Sequence, residues 1–356
     1  MGLAGDMIEI DGSHGEGGGQ LVRLACALAA ITGTPIRLVN IRARRDPPGL
    51  APQHLAAVRA VAELCDGECE GLALRTREFT LRPGPIRSGD FRFDVGTAGS
   101  ITLVLQALLP VALHAPGAVR LVVRGGTDVR AAPPLDYLRF VLLPLLARIG
   151  VQAALEVRQR GYYPRGGGEV ALAVEPGRPR GLVLDAPGPL AAIGGALHVS
   201  NLPAHILERM ADTARARMAR FGTADLQLDL LSPDRAAGPG GACVLWAQTA
   251  HTLLAGAEVA QRGVPAEEIA ARAARALAAE LDAGATLDLH ASDQLLIYLA
   301  LAGERSRFLV REFSSHARTT AWLIEQFLRV RITATAGAAG TGVAIEPRPA
   351  GAGARN

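Results

Sequence analysis

One order of elements occurs three times in this chain: a small polar loop, an apolar helix, a strand, an Arg-x-x-x-polar run and a second helix. A repeat of that kind restricts the fold more than any other feature of the sequence. The first copy opens with Gly15-Glu16-Gly17-Gly18-Gly19-Gln20 and runs through an apolar helical stretch to Ala30, then a strand over 36–41. It continues into Arg42-Ala43-Arg44-Arg45-Asp46, a Pro/Gly-rich loop and a helix from about Gln53 to Leu64. The second copy opens with Gly96-Thr97-Ala98-Gly99-Ser100, a helix to about Leu113 and a strand over 119–123. Arg124-Gly125-Gly126-Thr127-Asp128 follows, then a loop with Pro133 and Pro134 and a helix over about 135–149. The third copy is fainter. Asp293-Gln294 opens a helix to about Leu301, 308–310 is a short strand, and Arg311-Glu312-Phe313-Ser314-Ser315 leads to a helix over about 319–328. Such units pack around a shared axis, which brings their loops to one mouth.

Residues 187–279 break the pattern. They carry their own strands (191–198 and 242–249) and helices (204–221 and 266–281), preceded by the connector Pro176-Gly177-Arg178-Pro179-Arg180. The expected organisation is a large domain holding repeats one and two (1–186), an inserted small α/β domain (187–279), and the third repeat with a C-terminal tail (280–356). In that tail a last strand is expected over 343–345, followed by fraying.

Composition enters where it limits the chemistry. Among 356 residues there is no lysine, so all 37 basic residues are arginine. That excludes a P-loop lysine, a Schiff base and a lysyl adduct. Phosphate must be met by arginine, backbone N–H groups or metal, and the planar guanidinium fork suits phosphate oxygens. Net charge is only +3, which permits a polyanionic ligand without demanding one. Of the four cysteines, Cys65 and Cys69 are close but have no second pair nearby, which argues against zinc. The start lacks a secretory pattern, and the longest apolar stretch, 101–113, is too short to span a bilayer. A reduced, cytoplasmic setting with no membrane is expected.

Four clusters could carry chemistry. Glu16 lies in the Gly-rich loop, with Gln20 and Arg23 on the helix behind it. Glycines at a helix start let N–H groups approach an anion, and Glu16 could hold a divalent cation bridging phosphates; a plain strand-to-helix turn is the alternative. Arg42, Arg44, Arg45, Gln53 and His54 surround the Pro47-Pro48-Gly49 loop and read either as a shaped anion site or as solvated surface charge. Asp293-Gln294 follows His290, and Ser314-Ser315 precedes His316. A histidine is more often structural than nucleophilic, but His316 falls at the expected mouth. Neutral imidazole can carry an activated phosphoryl group.

At this point the residues resemble the RNA 3′-terminal phosphate cyclase family nearly end to end. The matching segments are Gly15–Arg23 (GEGGGQLVR), Ile41–Leu55 (IRARRDPPGLAPQHL), Phe93–Leu109 (FDVGTAGSITLVLQALL), Gly125–Pro134 (GGTDVRAAPP), Gly161–Gly168 (GYYPRGGG), Ser292–Leu295 (SDQL) and Ser314–His316 (SSH). No single segment is decisive, but all of them in order are specific. The resemblance implies an α+β fold of three βαβαββ-type units, like the C-terminal domain of a bacterial initiation factor and related to enolpyruvyl transferases, with a small inserted α/β domain. It implies a nucleotidyl-transferring ligase that uses ATP, with Mg²⁺ or Mn²⁺, to turn an RNA 3′-phosphate into a 2′,3′-cyclic phosphate. The route is a histidyl-AMP and then an RNA-adenylate, with release of pyrophosphate and AMP. The histidine maps to His316. Nucleotide- and phosphate-binding positions map to Glu16, Gln20, Arg23, Arg42, Arg45, Gln53, His54, Gln106, Pro133, His290, Asp293 and Gln294, with Glu16 also the metal position. The implied partners are ATP and RNA with a 3′-phosphate end; a homodimer is a possible assembly.

Two positions depart from the family pattern. His290 stands where many relatives have a tyrosine stacked on adenine, and imidazole offers less stacking area. Ser315 stands where cysteine is common. A catalytically inactive cyclase-like protein that binds RNA in ribosome assembly would lack the nucleophile, whereas His316 is present. An enolpyruvyl transferase would need lysines, and an RNA-binding module more basic charge and exposed aromatics.

Overall fold

In the computed structural model, which describes residues 7–337 and 340–349, the first repeat folds as six elements. They are β1 (Ile8–Asp11), α1 (Gly19–Thr32), β2 (Ile36–Val39), α2 (Pro52–Leu64), β3 (Glu68–Glu70) and β4 (Phe79–Arg82). The sheet order is β1-β2-β4-β3, with β1 parallel to β2 and the other pairs antiparallel. The second repeat copies this with β5 (Gly89–Asp94), α3 (Ile101–Ala112), β6 (Val119–Gly125), β7 (Ala153–Gln159) and β8 (Gly168–Val174), in the order β5-β6-β8-β7. Its second helix is divided into α4 (Leu135–Tyr137), a π turn (Leu138–Leu142) and α5 (Leu143–Arg148).

The inserted unit comprises β9 (Leu190–Ser200), α6 (Ala204–Met218), β10 (Ala224–Leu231), β11 (Gly240–Thr249), β12 (Leu253–Val259) and α7 (Ala266–Asp282). Its sheet runs β10-β9-β11-β12 over a core of its own, which includes Leu197, Met210, Cys243, Leu254, Ile269 and Leu277. α7 illustrates the cause: Ile269, Ala270, Ala273, Ala274 and Leu277 recur at helical spacing and are buried. Glu267 and Glu268 in its first turn complement the helix dipole.

The third repeat supplies α8 (Leu289–Leu301), β13 (Ser306–Val310), α9 (Ser315–Phe327), β14 (Val330–Gly337) and β15 (Gly340–Pro347), with sheet order β13-β15-β14. Its missing first strand lies on the far side of the insert. Val183 bridges Arg307 in parallel, Leu184 N donates to Arg307 O at 2.8 Å, and Arg307 N donates to Leu182 O at 2.8 Å. Residues 182–184 therefore occupy the place of β1 and β5, and the insert interrupts the third unit between its first strand and first helix. α1, α2, α3, α8 and α9 pack against one another at the centre, so α3 is buried almost all round.

The expected elements recur with defined differences. Asp293 and Gln294 do not open α8; they sit in its second turn, because Asp288 Oδ1 accepts His290 N at 3.0 Å and Ala291 N at 2.9 Å and starts the helix at Leu289. α9 starts at Ser315, ahead of the expected 319, because Ser314 Oγ caps Ala317 N at 2.9 Å. α7 continues to Asp282, and β10 and β12 are additional strands. The strand expected over 343–345 is part of β15; the fraying expected at the end falls largely on 350–356, outside the described residues. Among the described residues no helix is long and apolar enough to cross a membrane.

Candidate active site

α1 begins at Gly19 with no side-chain cap and no acidic residue in its first turn, so its N-terminal N–H groups remain available to an anion. Gly19 has to be glycine: a Cβ there would lie 1.8 Å from His54 Nε2. The start of α1 thus presses on the start of α2, and the two helix ends form the floor of a cleft of about 690 Å³. Glu16, Gln20 and Arg23 come from the first loop and α1. Arg42, Arg45, Gln53 and His54 come from the β2–α2 connection and α2, Gln106 from α3, and Pro133 from the loop before α4. His290, Asp293 and Gln294 on α8 and His316 on α9 complete the thirteen predicted positions, and all of them line this one cleft. Arg44 does not line it. His14, which precedes the first loop, instead stacks on Trp322 with ring centroids 3.7 Å apart.

His316 sits in the first turn of α9, where the Ser314 cap points it at α1. Its Nε2 is 2.9 Å from Glu16 Oε2. Its Nδ1 meets Gln20 Oε1, and Ser315 Oγ donates to Glu16 Oε1. Gln20 has no freedom to turn over. Its Nε2 donates to Asp293 Oδ1 at 2.6 Å and to Thr320 Oγ at 2.7 Å, and Thr320 Oγ donates to Asp293 Oδ1 at 2.9 Å. The Gln20 amide oxygen is left facing the imidazole, so Nδ1 must carry a proton and donate it. When the ring is neutral, the lone pair is therefore on Nε2, the nitrogen turned to Glu16.

The floor carries fixed positive charge. Arg23 is buried, and that burial pushes its guanidinium down to about 10, opposed by the carboxylate of Asp293; it is still a cation at neutral pH. Burial, and then the charges of Arg23 and Arg42, push His54 down to about 3, so it is a neutral ring. His54 Nδ1 is buried without a partner, and Nε2 lies 3.4 Å from Gln53 Nε2. Burial raises Asp293, opposed by Thr320, His316 and Gln20. Arg42 Nη1 donates to Gly49 O at 2.7 Å and Pro47 O at 3.1 Å, and Arg45 Nη2 is 3.7 Å from Glu16 Oε2. On the opposite wall Gln106 Nε2 donates to Gln294 Oε1 at 2.7 Å, and Thr102 Oγ donates to Pro133 O at 2.9 Å.

Four polar lining or supporting residues have no counterpart among the sequence candidates: Arg130, Glu258, Gln261 and Thr320. Arg130 lies inside the GGTDVRAAPP segment, where its charge was a usable signal. Glu258 and Gln261 belong to the insert and carried none.

No group of three or more His, Cys, Asp or Glu capable of holding a metal exists among the described residues. Glu16 fits as a single carboxylate ligand, which is how Mg²⁺ is held when substrate phosphates and water supply the rest of its shell.

The fold and cleft define a class: a three-repeat α+β protein in which a helix N-terminus, arginines and an imidazole converge, an arrangement suited to phosphate chemistry. Comparison with known proteins narrows this. The family model for RNA 3′-terminal phosphate cyclase matches residues 14–334. A protein of that name from Nitrosospira multiformis is 57% identical over 326 residues, covering 91% of this chain and 92% of its own. The same-named protein of Pyrobaculum neutrophilum is 45% identical, covering 91% of this chain and 94% of its own. The enolpyruvyl transferase NikO from Streptomyces tendae superposes with a TM-score of 0.28 at 14% identity, over 97% of this chain and 66% of its own, a match too weak to argue from. The chain belongs to the RNA 3′-terminal phosphate cyclase family.

Proposed function

We propose that the chain is an ATP-dependent enzyme that converts an RNA 3′-terminal phosphate to a 2′,3′-cyclic phosphate through a covalent AMP on His316. The observation that carries this reading is the hydrogen-bonded order Asp293–Gln20–His316. It holds a proton on Nδ1 and leaves Nε2, at 2.9 Å from Glu16 Oε2, as the nucleophilic nitrogen. Nε2 attacks the α-phosphorus of ATP, a P–N bond forms, and the bond to pyrophosphate breaks. An oxygen of the RNA 3′-phosphate then takes the adenylyl group, and the imidazole leaves with its electron pair. The neighbouring 2′-hydroxyl attacks the 3′-phosphorus, its proton is lost, and AMP departs. That last step gains from proximity, since nucleophile and phosphate share one ribose.

The chain's own groups suit these steps. Arg23, Arg42, Arg45 and the α1 N-terminus offer charge and N–H donors to phosphate oxygens. Before substrate binds, Glu16 can accept the Nε2 proton and pass it to solvent, which frees the lone pair and restores the carboxylate. A Mg²⁺ or Mn²⁺ bound with the substrate at Glu16 would neutralise phosphate charge. His290 and Pro133 both line the cleft and can contact a base, with His290 held edge-on to Tyr137 at 5.7 Å between centroids.

Incubation with α-labelled ATP tests the reading. The wild-type chain should acquire acid-labile, alkali-stable label, and His316→Ala and His316→Asn should acquire none while melting at the wild-type temperature. Full labelling of either variant would end the hypothesis. A 2′-deoxy end bearing a 3′-phosphate should accept AMP without cyclising; a cyclic product from it would refute the final step.

A further inference from the structure

The segment Gly161–Gly168 turns the chain from β7 into β8, and nothing in the cleft uses its tip. Its base is held on several sides. Thr127 N donates to Gly161 O at 2.8 Å, and Gly161 N donates to Thr127 Oγ at 3.1 Å. Arg160 N donates to Arg235 O at 3.0 Å and Ala237 N to Arg160 O at 2.9 Å, which ties the turn to the insert. The Tyr162 ring is buried so closely on Gly240 that a Cβ there would lie 2.2 Å from it. Gly166 N donates to Tyr162 O at 2.8 Å, and a Cβ on Gly166 would lie 2.6 Å from Thr97 O.

From this fixed base Tyr163 and Arg165 stand in solvent. Tyr163 is 79% exposed, more than any other large hydrophobic side chain among the described residues. The tip is joined to the cleft on two flanks. Thr97 leads to Gly99, where a Cβ would lie 3.0 Å from Gln53 Cβ, and Gln53 lines the cleft. Thr127 leads to Arg130 and Pro133, which line its wall.

A cleft of about 690 Å³ that takes ATP and a terminal nucleotide leaves the rest of an RNA strand outside, on the rim. There the strand offers unstacked bases and phosphates. A rigidly held aromatic face beside a guanidinium matches both. We propose that Tyr163 stacks on a base upstream of the RNA 3′ end and that Arg165 meets the adjoining phosphate. This rests on reading the cleft as a site for RNA 3′ ends.

The test is fluorescence anisotropy with single-stranded RNA of about ten nucleotides ending in a 3′-phosphate. Tyr163→Ala should weaken binding about five- to a hundredfold, and Tyr163→Trp should retain it. Arg165→Ala should flatten the slope of log K against log salt by about 0.7. Labelling by ATP, and competition by a nucleoside 3′-phosphate, should stay at wild-type level in all three variants. An unchanged Kd in Tyr163→Ala, equal loss in Tyr163→Trp, or no RNA binding by the wild-type chain would overturn the proposal. So would a shift in sedimentation of Tyr163→Ala with RNA affinity intact, which would assign the ring to self-association. A wild-type chain that binds RNA but takes no label from ATP would instead sink the proposed chemistry and leave the tip assignment standing.

Discussion

At His316 the two ring nitrogens have unlike partners, and the difference is set by Gln20 on α1. Gln20 spends its amide N–H groups on Asp293 and Thr320 and can only accept from the imidazole. Arg42 shows the reverse economy, with one side chain serving two ends. Its Nη1 holds the carbonyls of Pro47 and Gly49 while the guanidinium lines the cleft. Lysine has one nitrogen and no planar fork. Arg42→Lys is therefore expected to slow ATP labelling at limiting ATP about tenfold to a hundredfold, the size of a lost charge-assisted hydrogen bond. A wild-type rate would restrict Arg42 to solvated or loop-holding duty.

Caps decide where the elements begin, and so where the chemistry stands. Asp288 starts α8 early enough to place Asp293 and Gln294 on the face toward α1 and α3, and the Ser314 cap starts α9 at Ser315, which puts His316 in its first turn. The end of α7 carries a cost. Glu280 is buried beside Asp288, with Arg311 Nε at 3.2 Å from Oε1 and no partner for Oε2. Burial first, and then the Asp288 charge, push its carboxyl up to about 7. The folded chain thus keeps a proton that the unfolded chain loses near pH 4.5, so stability falls as pH rises from about 4.5 through about 7. Glu280→Gln removes the titration. Calorimetry should find a higher Tm for the variant above pH 7, with the gap closing toward pH 5; a gap that does not vary with pH would contradict the assignment.

The whole molecule is three like units with a fourth body set into the last, and the seam is charged. Arg160 Nη1 is 3.1 Å from Asp128 Oδ2 and Nη2 is 2.6 Å from Asp136 Oδ1, while His198 of the insert lies 3.2 Å from Asp136 Oδ2. All four side chains are buried. Removing the guanidinium strands two carboxylates in a dry interior. Arg160→Leu should cost about 3–5 kcal/mol in urea unfolding, and a loss below about 1 kcal/mol, the level of an exposed pair, would show the seam to be hydrated.

The repeats and the insert were legible in the sequence because each depends on local order, whereas the full set of thirteen cleft positions, Gln106 and Pro133 among them, came from the family resemblance. Helical and strand periods, glycines before helices and arginines after strands are short-range signals, and they survive without knowledge of packing. The first strand of the third unit was not legible. Residues 182–184 show no period of their own and become a strand only by pairing with β13 across the insert. Arg44 was indistinguishable from Arg42 and Arg45 by type and spacing, yet only the latter two line the cleft. Glu258 and Gln261 join the site through the docking of the insert, and His54 is neutral because Arg23 and burial surround it. Backbone propensity and patterning act within a few residues, and they settled the units. Desolvation, charge proximity and the choice of which loop faces the cleft act between segments far apart in the chain, so only the packed tertiary structure could decide them.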